Sequence, residues 1–259
     1  MTKKNKILTT VLSVLSVIVL FIVLSSTIFA VGKIEVNWLT TRNNLSGVNS
    51  QTLVQDSNIK LGTNVFFVKK GQAIHNLEKK YPYIKIESIE TVFPNNIIIH
   101  AREREEVFAI SQAGSFLLVD SDFKVLKIVT SEPEKAIKIL GDFSFEEKEG
   151  SFLNVPANMQ AFKILEKSFY QNCDEEQKEF NLQTMKNLLK SATFSDTKIV
   201  FKTSLGVKIE MFNPSHKQQK KVAMINKILG TLDDAQKQIG TIIVGDNGDK
   251  VQGSYTANV

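Results

Sequence analysis

No charged residue interrupts residues 7–31, and within them 11–24 is almost continuous Val, Leu, Ile and Phe, broken only by Ser13 and Ser16. About 20 apolar residues at 1.5 Å each cross a bilayer core of about 30 Å, so the run predicts a transmembrane anchor. It exceeds the apolar stretch of a cleaved leader, and Ile28 with Ala30 makes a poor cleavage site. Lys3, Lys4 and Lys6 precede the run, with Lys33 and Glu35 after it. The positive-inside bias then places residues 1–6 in the cytoplasm and everything from about Lys33 outside.

Beyond the anchor the periodicity alternates between two and about 3.6 residues. Ile34, Val36 and Trp38 share one parity, which is the pattern of a strand. Asn49 or Ser50 caps a short helix carrying Leu53 and Val54; Gly71 opens a second helix with Ile74, Leu77 and Tyr81, and Pro82 ends it. Two strand-like runs follow, 84–93 and 97–104, joined at Pro94-Asn95-Asn96. Ile84 and Ile86 have one parity and Ile89, Thr91 and Phe93 the other, so the first run is expected to bulge near Glu87.

The next segment reads as a meander, with apolar runs 107–110, 116–120 and 125–128 separated by turn residues, then a short strand 137–140. Pro156 stands near the start of a helix with Phe162, Leu165 and Phe169 on one face, and a second helix is predicted over about 175–190. Ile199, Phe201 and Thr203, the turn at Gly206, and Val207, Ile209 and Met211 form a hairpin pattern. Ser215 is the expected cap of a helix with Val222, Ile225, Ile228 and Leu229 inward and Lys217, Lys220, Lys221 and Lys227 toward water; Gly230 ends it. The last strand is expected at Thr241, Ile242, Ile243 and Val244.

Composition narrows the function classes. Hydrophobic content of 42% with 23% charge belongs to a folded chain, and the single Cys173 excludes an internal disulfide or a zinc site of paired cysteines. The formal charge is +5, yet without Lys3, Lys4 and Lys6 the 32 basic residues become 29 against 27 acidic ones. A near-neutral body does not carry a nucleic-acid footprint.

Three short motifs, Leu61-Gly62-Thr63-Asn64-Val65-Phe66, Phe93-Pro94-Asn95-Asn96 and Leu118-Val119-Asp120, are similar to those of the FtsQ/DivIB family of bacterial division proteins. The order strand, helix, helix, strand, strand after an anchor is that of a POTRA domain. Phe93-Pro94-Asn95-Asn96-Ile97-Ile98-Ile99 with Glu103-Arg104 and Val107 resembles the run that closes the family's POTRA domain. Leu61-Gly62-Thr63-Asn64-Val65-Phe66 resembles the stretch between its two helices, and Leu118-Val119-Asp120 a later strand end. Glu106 stands where the family has Pro, Phe123 where it has Gly, and 242–244 lacks the family's Asp. The resemblance covers essentially the whole chain. It implies an α+β protein: cytoplasmic tail 1–6, transmembrane anchor 7–31, POTRA domain 33–104, mixed β domain 105–245 with helices, and C-terminal tail 246–259.

Candidate chemistry is sparse. Two Ser-x-x-Lys tetrads, at Ser57 and Ser121, lack the Ser-Asp-Asn and Lys-Thr-Gly partners of a penicillin-binding site. His75, His100 and His216 are far apart in sequence, and Asp246-Asn247-Gly248-Asp249 lacks the order of a calcium loop. Alternating charges from Arg102 to Glu106 read as a solvated face or a pairing edge at a strand end. These readings point to a non-enzyme with no cofactor, no metal, no small-molecule substrate and no nucleic acid. The resemblance implies a single-pass scaffold at the division septum, regulating septal wall synthesis and binding FtsB/DivIC-like and FtsL-like coiled-coil proteins. The expected docking positions are Thr241, Ile242, Ile243 and Val244 as an exposed closing strand, with Gly245, Asn247, Gly248 and Tyr255 beyond it. The competing reading is a membrane-anchored wall hydrolase or transpeptidase. A ligand sensor would need more than six cytoplasmic residues.

Overall fold

The computed structural model describes residues 11–19, 27–40, 46–141, 143–146, 148–155, 188–195 and 197–257. The chain divides into two units, Met1–Arg104 and Glu105–Val259. Residues 11–19 are helical, and among the described residues no helix is long and apolar enough to cross a membrane. Part of the run 7–31 lies outside the described residues.

The first unit holds β1 (Lys33–Trp38), α1 (Ser50–Asp56), α2 (Lys70–Lys80), β2 (Ile84–Val92) and β3 (Asn96–Glu103). Asn49 caps α1 by accepting a hydrogen bond from the Thr52 amide at 2.8 Å. The sheet order is β1-β3-β2, with β1 parallel and β2 antiparallel to β3. The register steps from Ile86 opposite Ala101 to Ser88 opposite His100. That leaves Glu87 as the extra residue and turns Ile84, Ile86 and Ile89 all inward, where they join Leu53, Leu77, Ile97 and Ile99.

Of the two readings of this charge run, burial excludes the solvated face at Glu103 and Arg104. The Arg104 side chain is buried; its Nε donates to the Ile84 carbonyl at 3.4 Å and its guanidinium pairs with Glu78 at 3.3 Å. Glu103 accepts from Ser46 Oγ at 3.0 Å. Alternating charges mark a strand end correctly but not its exposure, because the partners come from a helix and a loop distant in sequence.

The second unit is built on one nine-stranded sheet. Its strands are β4 (Phe108–Gln112), β5 (Ser115–Val119), β6 (Val125–Val129), β7 (Ile137–Leu140), β8 (Leu189–Phe194), β9 (Lys198–Thr203), β10 (Lys208–Phe212), β11 (Thr241–Asn247) and β12 (Lys250–Thr256). The order is β12-β11-β10-β9-β8-β7-β4-β5-β6. Between β10 and β11, which are parallel, the chain crosses over through α3 (Gln218–Thr231) and α4 (Asp234–Gln238). The architecture is α+β, as the resemblance implies.

Two local expectations need correction here, and one further helix is absent from the sequence reading. The helix expected to reach Lys190 ends earlier, since Leu189 opens β8; the helices predicted over 156–187 lie outside the described residues. Ser215 does not cap α3, which starts at Gln218 after Lys217 in the left-handed region at φ +49. Helix α4 has no apolar stripe to announce it, yet its capping box is legible as Asp233 followed three residues later by Gln236.

Candidate docking surface at the C-terminal sheet edge

The closing strand is not the one that the apolar pattern suggests. Thr241, Ile242, Ile243 and Val244 lie in β11, between β10 on one side and β12 on the other. The expected tail 246–259 instead contains β12. Its cause is local: Asn247 pairs with Lys250 across Gly248-Asp249, and Gly248 supplies the positive φ of +58 that a two-residue hairpin turn requires. The Gly248-Asp249 dipeptide, with glycine at the first loop position, is the sequence signal for this turn.

Burial then separates the expected docking positions. Ile242 and Val244 are fully buried core residues, so their side chains cannot meet a partner. Ile243 is 39% exposed on the opposite face, next to Ser254 across the pair. Asn247 and Gly248 are exposed at the turn; Thr241 and Gly245 are half-buried.

Backbone hydrogen-bonding capacity lies in β12. In a two-residue hairpin the residues flanking the turn form a hydrogen-bonded pair, and bonding alternates from there. The register therefore gives Lys250, Gln252, Ser254 and Thr256 the bonds to β11, and turns the N–H and C=O groups of Val251, Gly253 and Tyr255 outward. No described strand pairs with that outer side. Such an edge is a template for another chain's strand.

The edge is held rigidly from behind. Helix α3 lies against β11 and β12. It can do so because residue 253 is glycine: a Cβ there would stand 2.7 Å from Met224 Cγ and 2.8 Å from Ile228 Cδ1. Tyr255 is half-buried against the core, and its hydroxyl lies 2.9 Å from the Ile239 carbonyl and 3.1 Å from the Gln236 carbonyl. The phenol thus clips the end of α4 to β12, so Tyr255 is a structural residue rather than a free anchor. Tyr255→Ala is expected to cost about 2 kcal/mol of stability, from lost packing and one lost hydrogen bond. Urea unfolding of the variant checks it; an unchanged midpoint would return the residue to the surface role.

A charged clamp fixes the turn. Lys221, expected in water, is fully buried. Its Nζ donates to the Phe212 carbonyl at 2.9 Å and the Asn213 carbonyl at 2.7 Å, and pairs with Asp246 Oδ1 at 2.5 Å. Two of the ammonium protons go to main-chain carbonyls, and the charge itself faces the Asp246 carboxylate. Asp246 Oδ2 faces His216 Nδ1 at 2.6 Å, and Lys217 donates to the Gly248 carbonyl. These bonds join the end of β10, the start of α3 and the β11–β12 turn. The lysine pattern on α3 cannot reveal this, because the acceptors are main-chain groups that folding alone brings under the helix.

The Lys221 ammonium, and then His216, hold the Asp246 carboxyl down to about 2 from its ordinary 3.8. A depressed folded-state value gives stability that is present above the unfolded value of about 4 and lost as pH falls toward about 2. The stability gap between wild type and Asp246→Asn is therefore expected to hold constant from neutral pH to about 4 and to narrow below it. A gap independent of pH in urea titrations would show the carboxylate is not held this way.

Ser57 is buried and donates to the Val54 carbonyl at 2.7 Å, and Lys124 of the second tetrad is buried beneath the Phe152 ring at 5.1 Å. His100 lies 3.2 Å from Glu90. Among the described residues no group of three His, Cys, Asp or Glu converges as a metal set would. Cys173 lies outside the described residues.

Comparison with known proteins gives two kinds of match. Residues 43–104 match the POTRA domain of FtsQ type. The chain is 26% identical over 174 residues to the cell division protein DivIB of Clostridium botulinum (strain Hall), covering 55% of this chain and 68% of the relative. It is 31% identical over 81 residues to the cell division protein DivIB of Clostridium acetobutylicum, covering 31% of this chain and 32% of that one. With the DivIB of Clostridium tetani it shares 26% identity over 80 residues, or 31% of this chain and 30% of the relative.

Proposed function

Taking as premise that this chain is a relative of the FtsQ/DivIB cell-division proteins, we propose that it is a non-enzymatic scaffold of the division machinery. It is anchored in the cytoplasmic membrane by residues 7–31, with the body outside. It receives an extended segment of an FtsB/DivIC-like partner, together with an FtsL-like protein, along the outer edge of β12. Through these contacts it links division proteins at the septum and regulates wall synthesis.

The observation that carries this reading is the open β12 edge. It presents the outward main-chain groups of Val251, Gly253 and Tyr255 beside the exposed side chains of Gln252 and Ser254. Main-chain bonds supply affinity in strand addition, and flanking side chains supply specificity. The clamp at Asp246 and the Tyr255 clip hold this edge in its bound shape, which lowers the ordering cost of docking. The test is co-expression of the tagged full chain with the organism's own FtsB/DivIC-like and FtsL-like proteins, followed by affinity capture. Recovery of both with the chain supports the scaffold; a chain captured alone at comparable expression overturns the partner assignment.

A further inference from the structure

The first unit exposes an apolar surface that its own core does not use. Leu61 is 66% exposed, Phe66 63%, Phe67 78% and Phe93 61%. Phe66 and Phe93 form a ring cluster with Phe29, at centroid separations of 5.3 Å for Phe29–Phe66, 6.2 Å for Phe29–Phe93 and 5.7 Å for Phe66–Phe93. Monomeric soluble surfaces rarely gather large apolar side chains in this way.

The location of the patch is set by the backbone. The Val65 amide donates to the Phe29 carbonyl at 2.8 Å, the Val31 amide to Thr63 at 2.8 Å, the Gly62 amide to Val31 at 2.8 Å, and the Gly32 amide to Asn95 at 2.9 Å. Asn64 accepts from the Phe66 amide at 3.0 Å, which caps the single helical turn Val65–Phe67 and aims both rings. The loop with Leu61, Phe66 and Phe67 and the turn with Phe93 are thus bonded to the last residues of the apolar run 7–31. Helical geometry ends at Ile28; a helix over 7–28 would span about 33 Å, some 3 Å more than a bilayer core, so residues 29–31 fall at the headgroup level.

Charge agrees with this placement. Residues 57–77 and 92–98 contain Lys60, Lys69 and Lys70 and no acidic residue, while Lys33 is paired with Glu35. Lys60 and Lys69 bracket the aromatic loop and are exposed. Aromatic rings with flanking lysines are the composition of an interfacial anchor on an anionic leaflet.

We propose that Leu61, Phe66, Phe67 and Phe93 form a membrane-seating surface, inserted at the boundary between headgroups and acyl chains of an anionic bilayer. It rests on the reading of 7–31 as a transmembrane anchor. The seat fixes the tilt of the first unit relative to the membrane, which a single helix followed by a free joint could not do.

The test uses the full chain with Cys173→Ser, reconstituted in vesicles of phosphatidylcholine and phosphatidylglycerol. An environment-sensitive label is placed singly through Val19→Cys, Lys69→Cys or Lys79→Cys. Quenching is read with lipids carrying a nitroxide either near the headgroup or deep in the acyl chain. Lys79 lies about 15 Å from Lys69 along α2 at 1.5 Å per residue, which makes it the remote control. The expected result is deep quenching at 19, shallow quenching at 69 and none at 79. Adding Leu61→Ser with Phe67→Ser should abolish the shallow quenching at 69 and leave that at 19, since both side chains are outside the core. Quenching at 19 with none at 69 overturns the seating surface while the anchor stands. Absence of quenching at 19 overturns the anchor and the seat with it. Shallow quenching at 69 that survives the double substitution also overturns the proposal, because the apolar side chains would not be its cause.

Discussion

Val251→Pro is expected to leave the second unit folded and to weaken capture of the FtsB/DivIC-like partner about a hundredfold. Proline is tolerated in a sheet where its missing N–H would have faced away from the neighbouring strand. The β11–β12 register gives Val251 that outward position. The side chain is only half-buried against the core, and the ring retains much of its apolar bulk. Binding suffers differently. A partner strand loses one main-chain hydrogen bond and keeps a carbonyl stranded without a donor, together about 3 kcal/mol, or roughly a hundredfold in affinity. Ser254→Pro provides the contrast: its N–H is spent on β11, so the hairpin itself should loosen. Titration of each variant with the purified partner, beside thermal unfolding, separates the two outcomes. Equal binding by Val251→Pro and wild type would place docking elsewhere.

Phe123→Ala is expected to cost about 4 kcal/mol of stability, and Phe123→Gly about 1 kcal/mol less, which reverses the usual order of the two residues. Phe123 is buried and stacks on Phe108 with ring centroids 5.4 Å apart and planes 18° apart. It does so from the left-handed region, at φ +60, where a side chain carries a steric penalty and glycine does not. Asp120 maintains the turn by accepting from the amides of Asp122 at 2.9 Å and Lys124 at 2.8 Å. The ring's burial therefore outweighs the backbone strain. Urea unfolding of the full chain with each substitution checks the ranking. A glycine variant less stable than the alanine one would mean the strain is not felt.

Phe123 also marks the reach of the amino-acid sequence. The family resemblance puts it at a glycine position, and the turn conformation there is the one glycine favours; the residue order does not show that a core ring compensates for the strain. The apolar pattern locates β1 to β7, β9 and β10, the helices α1 and α2 and the bulge at Glu87: where one face is buried the alternation records it, and where both faces are buried, as in β4 and β5, a short continuous apolar run does. It fails at β12. There Val251 and Tyr255 alternate, but Gly253 removes the middle apolar residue from the pattern, and polar residues fill the other face. The same glycine that hides the strand lets α3 pack on it.

The proposed docking surface is legible by region and not by strand. Tyr255 stands out in the sequence for its aromatic ring, yet its hydroxyl bonds the chain's own carbonyls. Lys221 and Asp246 read as parts of a solvated helix face and a turn, since a buried pair formed across separate elements has no sequence period. Ile242 and Val244 illustrate the converse: an apolar strand near the C-terminus resembles an edge until the next strand is known to pair with it.

Strand addition at β12 is tested most directly by amide hydrogen exchange of the full chain with and without the bound FtsB/DivIC-like partner. The account predicts that the outward amides of Val251, Gly253 and Tyr255 exchange freely alone and become protected in the complex, while those of Gln252 and Ser254 are protected in both. Formation of the complex with the three outward amides still exchanging freely would contradict it.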